Sequence, residues 1–134
     1  MKTRKTLVVA SLIAITTACG YGSKNYNTPP TAGAMPAIAQ LSPGSTTAGG
    51  AAFTLTVNGS NFGTKAVVNW NGVAQTATSF VTNNQLMVAV PASMIANSGN
   101  VQITVTNPAT SGSGMYGTGA TLAETSTPMT FTIN

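Results

Sequence analysis

The sequence predicts an all-β chain that folds as a β-sandwich. From Pro36 onward, short segments recur in which apolar residues alternate with threonine, asparagine or other small polar residues. Pairs and triplets of glycine, proline, asparagine and serine separate these segments. An alternation with a period of two indicates a strand with one buried face, and six or seven short strands divided by turn signals are typical of a sandwich.

Each predicted strand ends where turn-forming residues interrupt the alternation. In chain order the strands are predicted around Ile38–Leu41, Phe53–Val57, Val68–Trp70, Thr76–Val81, Leu86–Val90, Val101–Val105 and Met129–Ile133. Residues 58–60 are expected to end the second strand, and Asn71-Gly72 is a pair typical of tight hairpin turns. The only helical candidate is a single turn over residues 92–96, directly after Pro91.

The apolar members of these strands form the predicted core. The inward set comprises Ile38, Leu41, Phe53, Leu55, Val57, Phe62, Val68, Trp70, Phe80, Leu86, Val88, Val90, Val101, Ile103, Val105, Phe131 and Ile133. Trp70 is in phase with Val68, so its indole is predicted to face the core and to pack on aliphatic neighbours. The alternative is an exposed Trp70 that stacks on a sugar ring.

The first eighteen residues have the layout of a bacterial export signal. Lys2, Arg4 and Lys5 form a basic start, an uncharged apolar run follows over Leu7–Ile15, and three small residues close the segment. Nine residues of helix span about 14 Å, less than half of the roughly 30 Å hydrocarbon core, so the run is too short for a transmembrane anchor. Residues 1–18 are therefore predicted to be a signal peptide.

Cys19, the only cysteine, directly follows those small residues. The arrangement resembles a bacterial lipoprotein signal, in which small residues precede an invariant cysteine, although Thr16 stands where leucine is usual. The resemblance implies that diacylglycerol is joined to the Cys19 sulfur and that the freed amine is acylated. The alternative is ordinary cleavage after Ala18, which leaves a free thiol. Gly20 stands where an aspartate retains such lipoproteins in the inner membrane, so the resemblance favours the outer membrane or the cell surface.

The composition excludes most catalytic sites. The chain has no histidine and a single acidic residue, Glu124, so it has neither a Ser-His-Asp triad nor a pair of carboxylates for glycoside hydrolysis. With one cysteine it forms no intramolecular disulfide and no thiolate zinc site, and it contains no glycine-rich phosphate-binding motif. We therefore expect no enzymatic activity, no metal and no cofactor.

The mature chain carries almost no charge. The formal net charge is +4, but removal of the signal leaves only Lys24 and Lys65 against Glu124, a side-chain charge of +1. Two cations neutralise at most two phosphates. The logarithm of the binding constant would then fall with the logarithm of the salt concentration with a slope of about −1.8, which is too shallow for a nucleic-acid-binding protein. Nucleic acid is therefore excluded as a partner.

The segment between the signal and the first strand is predicted to be a tether. Residues 20–35 are rich in glycine, asparagine, threonine and proline and lack a periodic apolar pattern. We therefore expect residues 19–35 to form a lipidated N-terminus and a flexible linker. Residues 36–134 are then a single domain.

Five stretches of that domain match the pattern of a known family. They are Pro36–Pro43, Phe53–Gly63, Val68–Gly72, Leu86–Pro91 and Val101–Pro108. The most specific part is residues 59–63, in which glycines permit a bend with positive φ while Phe62 turns back into the core. On these stretches, about three quarters of the chain resembles an IPT/TIG domain. The resemblance implies an immunoglobulin-like β-sandwich, as in plexins, Rel-type transcription factors and many bacterial surface proteins.

The segment between the last two predicted strands departs from that family. Ala109–Thr127 has nineteen residues where a short hairpin is usual, and loops of this length are commonly functional or disordered. One interpretation is a binding loop with Tyr116 as its anchor, because tyrosine supplies contact area at a small entropic cost. The other is a loop without function that packs Leu122 on the domain edge.

Two functions are compatible with this sequence. The first is a non-enzymatic, lipid-anchored cell-envelope protein, held in the membrane through Cys19, whose single domain contacts another envelope protein, with Tyr116 as the candidate binding residue. The second is a surface module that binds polysaccharide, because outward-facing residues such as Thr54, Thr56 and Asn69 offer neutral hydrogen-bonding groups. Similar domains accompany glycan-active enzymes, but that analogy rests on fold alone.

Overall fold

The computed structural model of the protein describes residues 29–112 and 119–134. Over these residues the chain forms two β-sheets with a shared core, which confirms the predicted all-β sandwich. The strands are β1 (Ala37–Ser42), β2 (Ser45–Thr46), β3 (Phe53–Ser60), β4 (Val67–Trp70), β5 (Val73–Ala74), β6 (Thr78–Thr82), β7 (Gln85–Val90), β8 (Gly99–Asn107), β9 (Glu124–Thr125) and β10 (Met129–Ile133). A 3₁₀ helix, Ala92–Ile95, lies between β7 and β8, where a single helical turn is predicted.

The strands divide into a four-stranded and a six-stranded sheet. The first has the order β1-β3-β7-β6 and is antiparallel throughout. The second has the order β2-β10-β8-β4-β5, and β9 pairs with the end of β8. The chain changes sheets at the turn after β1, which contains a cis Ser42–Pro43 bond, and β2 then runs parallel to β10. No helix within the described ranges is long and apolar enough to cross a membrane.

The second predicted strand is longer than its apolar alternation indicates. Residues 58–60 are expected to end it, but β3 continues to Ser60. The reason is pairing with β1, in which Ile38 lies opposite Gly59 and Ala37 lies opposite Ser60. The prediction was wrong here because asparagine, glycine and serine are turn residues in isolation, whereas a neighbouring strand can hold them extended.

Phe131 lies at the centre of the core. Its ring is fully buried, with the Phe53 ring stacked on it at 5.9 Å and the Trp70 ring tilted against it at 5.5 Å between centroids. Trp70 is only 7% exposed, which confirms that it faces the core. The expectation that Trp70 packs on aliphatic neighbours was wrong in one respect, because its ring contacts the Phe131 ring. The tilted arrangement is one that aromatic pairs favour.

Two further corrections concern single apolar side chains. Phe80 is predicted to be buried but is 38% exposed, because β6 is the edge strand of its sheet and its pairing shifts register between Phe80 and Thr82. Ile95 is absent from the predicted core but is fully buried. It lies at the end of the 3₁₀ helix, where a search for alternation with a period of two does not detect it.

The β4–β5 hairpin turns at Asn71-Gly72, as predicted. Both residues have positive φ, +48° and +81°, which is the requirement of the type I′ turn that matches the twist of paired strands. The Asn71 Oδ1 also accepts a hydrogen bond from the Gln102 N–H at 2.8 Å. The turn is therefore fixed to the neighbouring strand β8.

Replacement of Gly59 tests the close approach of β1 to β3. A β-carbon on residue 59 would overlap the Ala37 carbonyl oxygen and would lie 2.6 Å from the Phe62 ring. Because that oxygen belongs to a paired strand, we expect Gly59→Ala to lower the free energy of unfolding by about 2–3 kcal/mol, as measured by urea denaturation. In the control Gly44→Ala, the added carbon would meet only the Leu41 carbonyl oxygen, at 3.8 Å. Equal stability of the two variants would contradict the packing described for Gly59.

Candidate functional site

The turn between β3 and β4 closes one end of the sandwich. Asn61 adopts a left-handed conformation with φ +59°, which asparagine tolerates better than most residues. The Gly59 N–H donates to the Asn84 carbonyl oxygen and the Phe62 N–H donates to the Asn83 carbonyl oxygen, both at 2.9 Å. Phe62 is 3% exposed, so its ring returns to the core as the sequence predicts.

Asn107, the last residue of β8, ties this turn to two other parts of the chain. Its Oδ1 accepts a hydrogen bond from the Gly63 N–H at 2.8 Å. Its Nδ2 donates to the carbonyl oxygens of Asn61 and Ala34, each at 2.8 Å. Both ends of one neutral side chain are therefore used to join the β3–β4 turn, the end of β8 and the segment that precedes β1.

The segment that precedes β1 is docked on the domain, and residues 31–35 are called the N-terminal strap below. The Thr31 N–H donates to the Ala120 carbonyl oxygen at 3.2 Å, and the Leu122 N–H donates to the Thr31 carbonyl oxygen at 3.0 Å. The Asn61 Nδ2 donates to the Met35 carbonyl oxygen at 3.2 Å. The sequence assigns these residues to a flexible linker, whereas their backbone is hydrogen-bonded to the domain.

The long segment between β8 and β10 is paired at its base. Thr110 and Thr121 exchange backbone hydrogen bonds at 3.0 and 3.1 Å, and their hydroxyls lie 2.8 Å apart. Strand β9 pairs with Thr106 and Asn107, and the buried Ser126 hydroxyl accepts the Val105 N–H at 2.9 Å. The base of the predicted nineteen-residue loop is therefore the bridged pair Thr110 and Thr121, called the hairpin base below, and β9 near its C-terminal end joins the six-stranded sheet.

The strap, the β3–β4 turn and the hairpin base surround an open cleft of about 750 Å³. Its lining consists of Gly33, Ala34, Asn61–Lys65, Asn83, Asn107–Ser111, Thr121 and Leu122. The volume lies in the range of roughly 300–1,000 Å³ that is usual for ligand pockets. Amides, hydroxyls and small apolar groups make up most of its surface, so the cleft is suited to neutral, hydrogen-bonding ligands.

Charge contributes little to the cleft. Among the residues that the structure describes, Lys65 is the only charged one that lines the cleft, and Glu124 is the only acidic residue of the chain. Across residues 29–112 and 119–134, no three histidine, cysteine, aspartate or glutamate side chains lie close enough to hold a metal ion. The cleft is therefore equipped for binding through hydrogen bonds and apolar contact.

The two site residues that the sequence singles out, Cys19 and Tyr116, lie outside the described residues. Of the residues considered for the long loop, Leu122 lines the cleft and is 50% exposed, so it is not covered by the domain edge. Asn107 is not among the site residues that the sequence predicts. In the sequence, Asn107 is recognisable only as the end of a predicted strand before Pro108. The residues around it do not indicate that its side chain bonds to residues more than 40 positions away.

The match to known proteins agrees with this architecture. A family model described as IPT/TIG domain matches residues 36–132. The chain belongs to the IPT/TIG family. Such domains are immunoglobulin-like modules often used in protein or surface interactions, and the match covers both sheets and the β3–β4 turn. No curated protein and no solved structure matches this IPT/TIG chain.

Replacement of Asn107 tests the junction that it forms. Asn107→Ala leaves the Gly63 N–H and two carbonyl oxygens without the amide, so we expect a loss of about 2 kcal/mol in the free energy of unfolding. Urea denaturation measures it. The control Asn100→Ala removes an exposed side chain from the same strand and should change stability by less than about 0.5 kcal/mol. A loss no larger than that of the control would show that the amide bonds contribute nothing.

Proposed function

We propose that this protein is a non-enzymatic, lipid-anchored protein of the cell envelope whose IPT/TIG domain binds another envelope protein at the cleft. The observation that carries the proposal is the docked strap. Gly33 and Ala34 line the cleft, and the strap leads back along the chain toward Cys19. The segment that connects the domain to the anchor is thus also one wall of the binding site.

A contact function is favoured by the chemistry of the chain. It has no histidine and one acidic residue, and the cleft presents amides, hydroxyls and one lysine rather than a set of reacting groups. Open clefts with apolar and hydrogen-bonding surface are typical of recognition sites. Such a surface is sufficient for a protein that acts as an adaptor or surface module.

Lipid attachment is favoured by the position of Cys19. The residue follows a basic start, an apolar run and small residues, and it is the only cysteine of the chain. Acyl chains contribute roughly 0.8 kcal/mol per buried CH₂, so two or three chains hold a nearly neutral protein on a membrane without basic residues. Gly20 favours the outer membrane or the cell surface by its resemblance to lipoprotein sorting signals.

Polysaccharide binding is the second candidate. The neutral amides and hydroxyls of the cleft, among them Asn83, Thr64 and Ser111, favour it. The burial of Trp70 weighs against it, because that side chain is withdrawn from any stacking role. Stacking on sugars would then depend on the tyrosines of the chain or on the exposed Phe80.

The anchor is tested by Cys19→Ser. The serine hydroxyl is not the thiol that receives diacylglycerol, so we expect the variant to leave the membrane fraction or to accumulate with its signal uncleaved. Fractionation and immunoblotting of cells measure both. Ser23→Ala, a change of similar size four residues further on, is the control and should remain membrane-bound. Normal processing and membrane retention of Cys19→Ser would remove the anchor from the proposal.

The contact is tested by photo-crosslinking in living cells from position 116. A photoreactive residue replaces Tyr116, with a second variant at the exposed Thr130 on the six-stranded sheet as the control. The proposal predicts a reproducible protein adduct from position 116 and none, or a different one, from position 130. Adducts to polysaccharide alone would instead favour the second candidate. Adducts from position 130 alone would place the contact on the sheet.

A further inference from the structure

At the hairpin base, two isolated β-bridges join three segments of the chain. Thr121 lies in the middle, in a parallel bridge with Thr31 of the strap on one side and an antiparallel bridge with Thr110 on the other. Thr110 directs its own N–H and C=O to Thr121. The segment around Thr110 therefore lies on the outer side of these two bridges.

Ala109 and Ser111 carry the remaining hydrogen-bonding groups of that edge. In an extended segment, alternate residues direct their N–H and C=O to opposite sides, so the neighbours of Thr110 direct theirs away from Thr121. Neither residue makes a backbone hydrogen bond to another residue that the structure describes. Both line the cleft. Toward the residues that the structure describes, these two residues thus have two donors and two acceptors without a backbone partner, in the pattern of a strand edge.

An extended polypeptide matches this edge. It presents paired N–H and C=O groups on one side at every second residue, about 6.5–7 Å apart, and Ala109 and Ser111 are likewise two positions apart in the chain. Leu122, half exposed in the cleft, provides an apolar contact for one side chain. An anionic lipid headgroup is a poorer match, because Lys65 is the only cation among the described residues of the lining and a single lysine attracts such a surface weakly.

The reach of the tether restricts where that polypeptide is found. Thr31, a docked residue of the strap, is twelve residues after Cys19, so it lies at most about 43 Å from a lipid-modified Cys19. The strap also lines the cleft, which places the cleft near the membrane. This step rests on the proposed lipid anchor.

We propose that the cleft binds an extended segment of a second protein held in the same membrane, which adds as a strand to the edge formed by residues 109–111. The backbone groups of Ala109 and Ser111 provide the affinity. The side chains beside Leu122 and Lys65 provide the selectivity. The occupant is thus a protein strand presented at the membrane surface.

The strand addition is tested in living cells with the full-length protein and a photoreactive residue in place of Leu122. Ser111→Pro removes one N–H from the free edge, while Ser111→Ala removes only the hydroxyl. Proline is compatible with an edge position whose N–H is unpaired, and an unchanged urea midpoint verifies that the fold is retained. We expect an adduct with a membrane-embedded or membrane-anchored protein, identified by mass spectrometry. Its yield should fall about five-fold in Ser111→Pro and stay unchanged in Ser111→Ala.

Several outcomes would overturn the proposal. These are equal yields in the two Ser111 variants, adducts only with lipid or polysaccharide, adducts with a soluble protein, and no adduct at all from position 122.

A Gly/Ser insertion of about twenty residues after Lys24 tests the membrane restriction, because it should lower the adduct yield by reducing the effective concentration of the partner at the cleft. The variant Cys19→Ser tests the lipid anchor separately from the strand addition. Retention of that variant in the membrane defeats the lipid anchor, whereas the comparison of Ser111→Pro with Ser111→Ala still decides the strand addition.

Discussion

The amide of Asn107 joins parts of the chain that are 44, 46 and 73 residues away from it in sequence. Its oxygen fixes the end of the β3–β4 turn, and its nitrogen fixes the same turn and the strap. Those segments line the cleft, so one uncharged side chain helps to set the shape of the cleft, together with the backbone hydrogen bonds of Thr31. Hydrogen bonds of this kind are individually modest, but Asn107 makes three of them, and the loss of its side chain removes all three together.

The same reliance on neutral groups extends through the domain. The Asn69 Nδ2, on the face of the six-stranded sheet, donates to the Thr104 and Thr106 hydroxyls, and the Thr106 hydroxyl lies 2.8 Å from that of Thr125. Within the described part of the chain, no buried side-chain nitrogen or oxygen lacks a partner. A domain with almost no charge is thus ordered by an apolar core whose buried side-chain polar groups are hydrogen-bonded, a pattern that favours a single packing arrangement.

The alternation of apolar and polar residues was sufficient to predict the sandwich, its main strands and most of its core. It succeeded because strands with one buried face repeat every two residues, and it located Phe131 and Trp70 correctly for that reason. It failed for Phe80, whose exposure depends on its strand being at the edge of a sheet, and for Ile95, which is in a helical turn. The strap and the role of Asn107 depend on bonds between distant segments, which local patterns do not encode.

Hydrogen exchange measured by NMR tests most directly whether the strap is docked and forms one wall of the cleft. The Leu122 N–H donates to the Thr31 carbonyl oxygen and the Gly63 N–H donates to Asn107, so both amides should exchange far more slowly than in a free peptide. In Asn107→Ala both should lose protection, while the amide of the buried Leu55 remains slow. Exchange of the Leu122 amide at the free-peptide rate in the unmodified chain would mean that the strap is not docked, and the cleft would lose the wall on which this account depends.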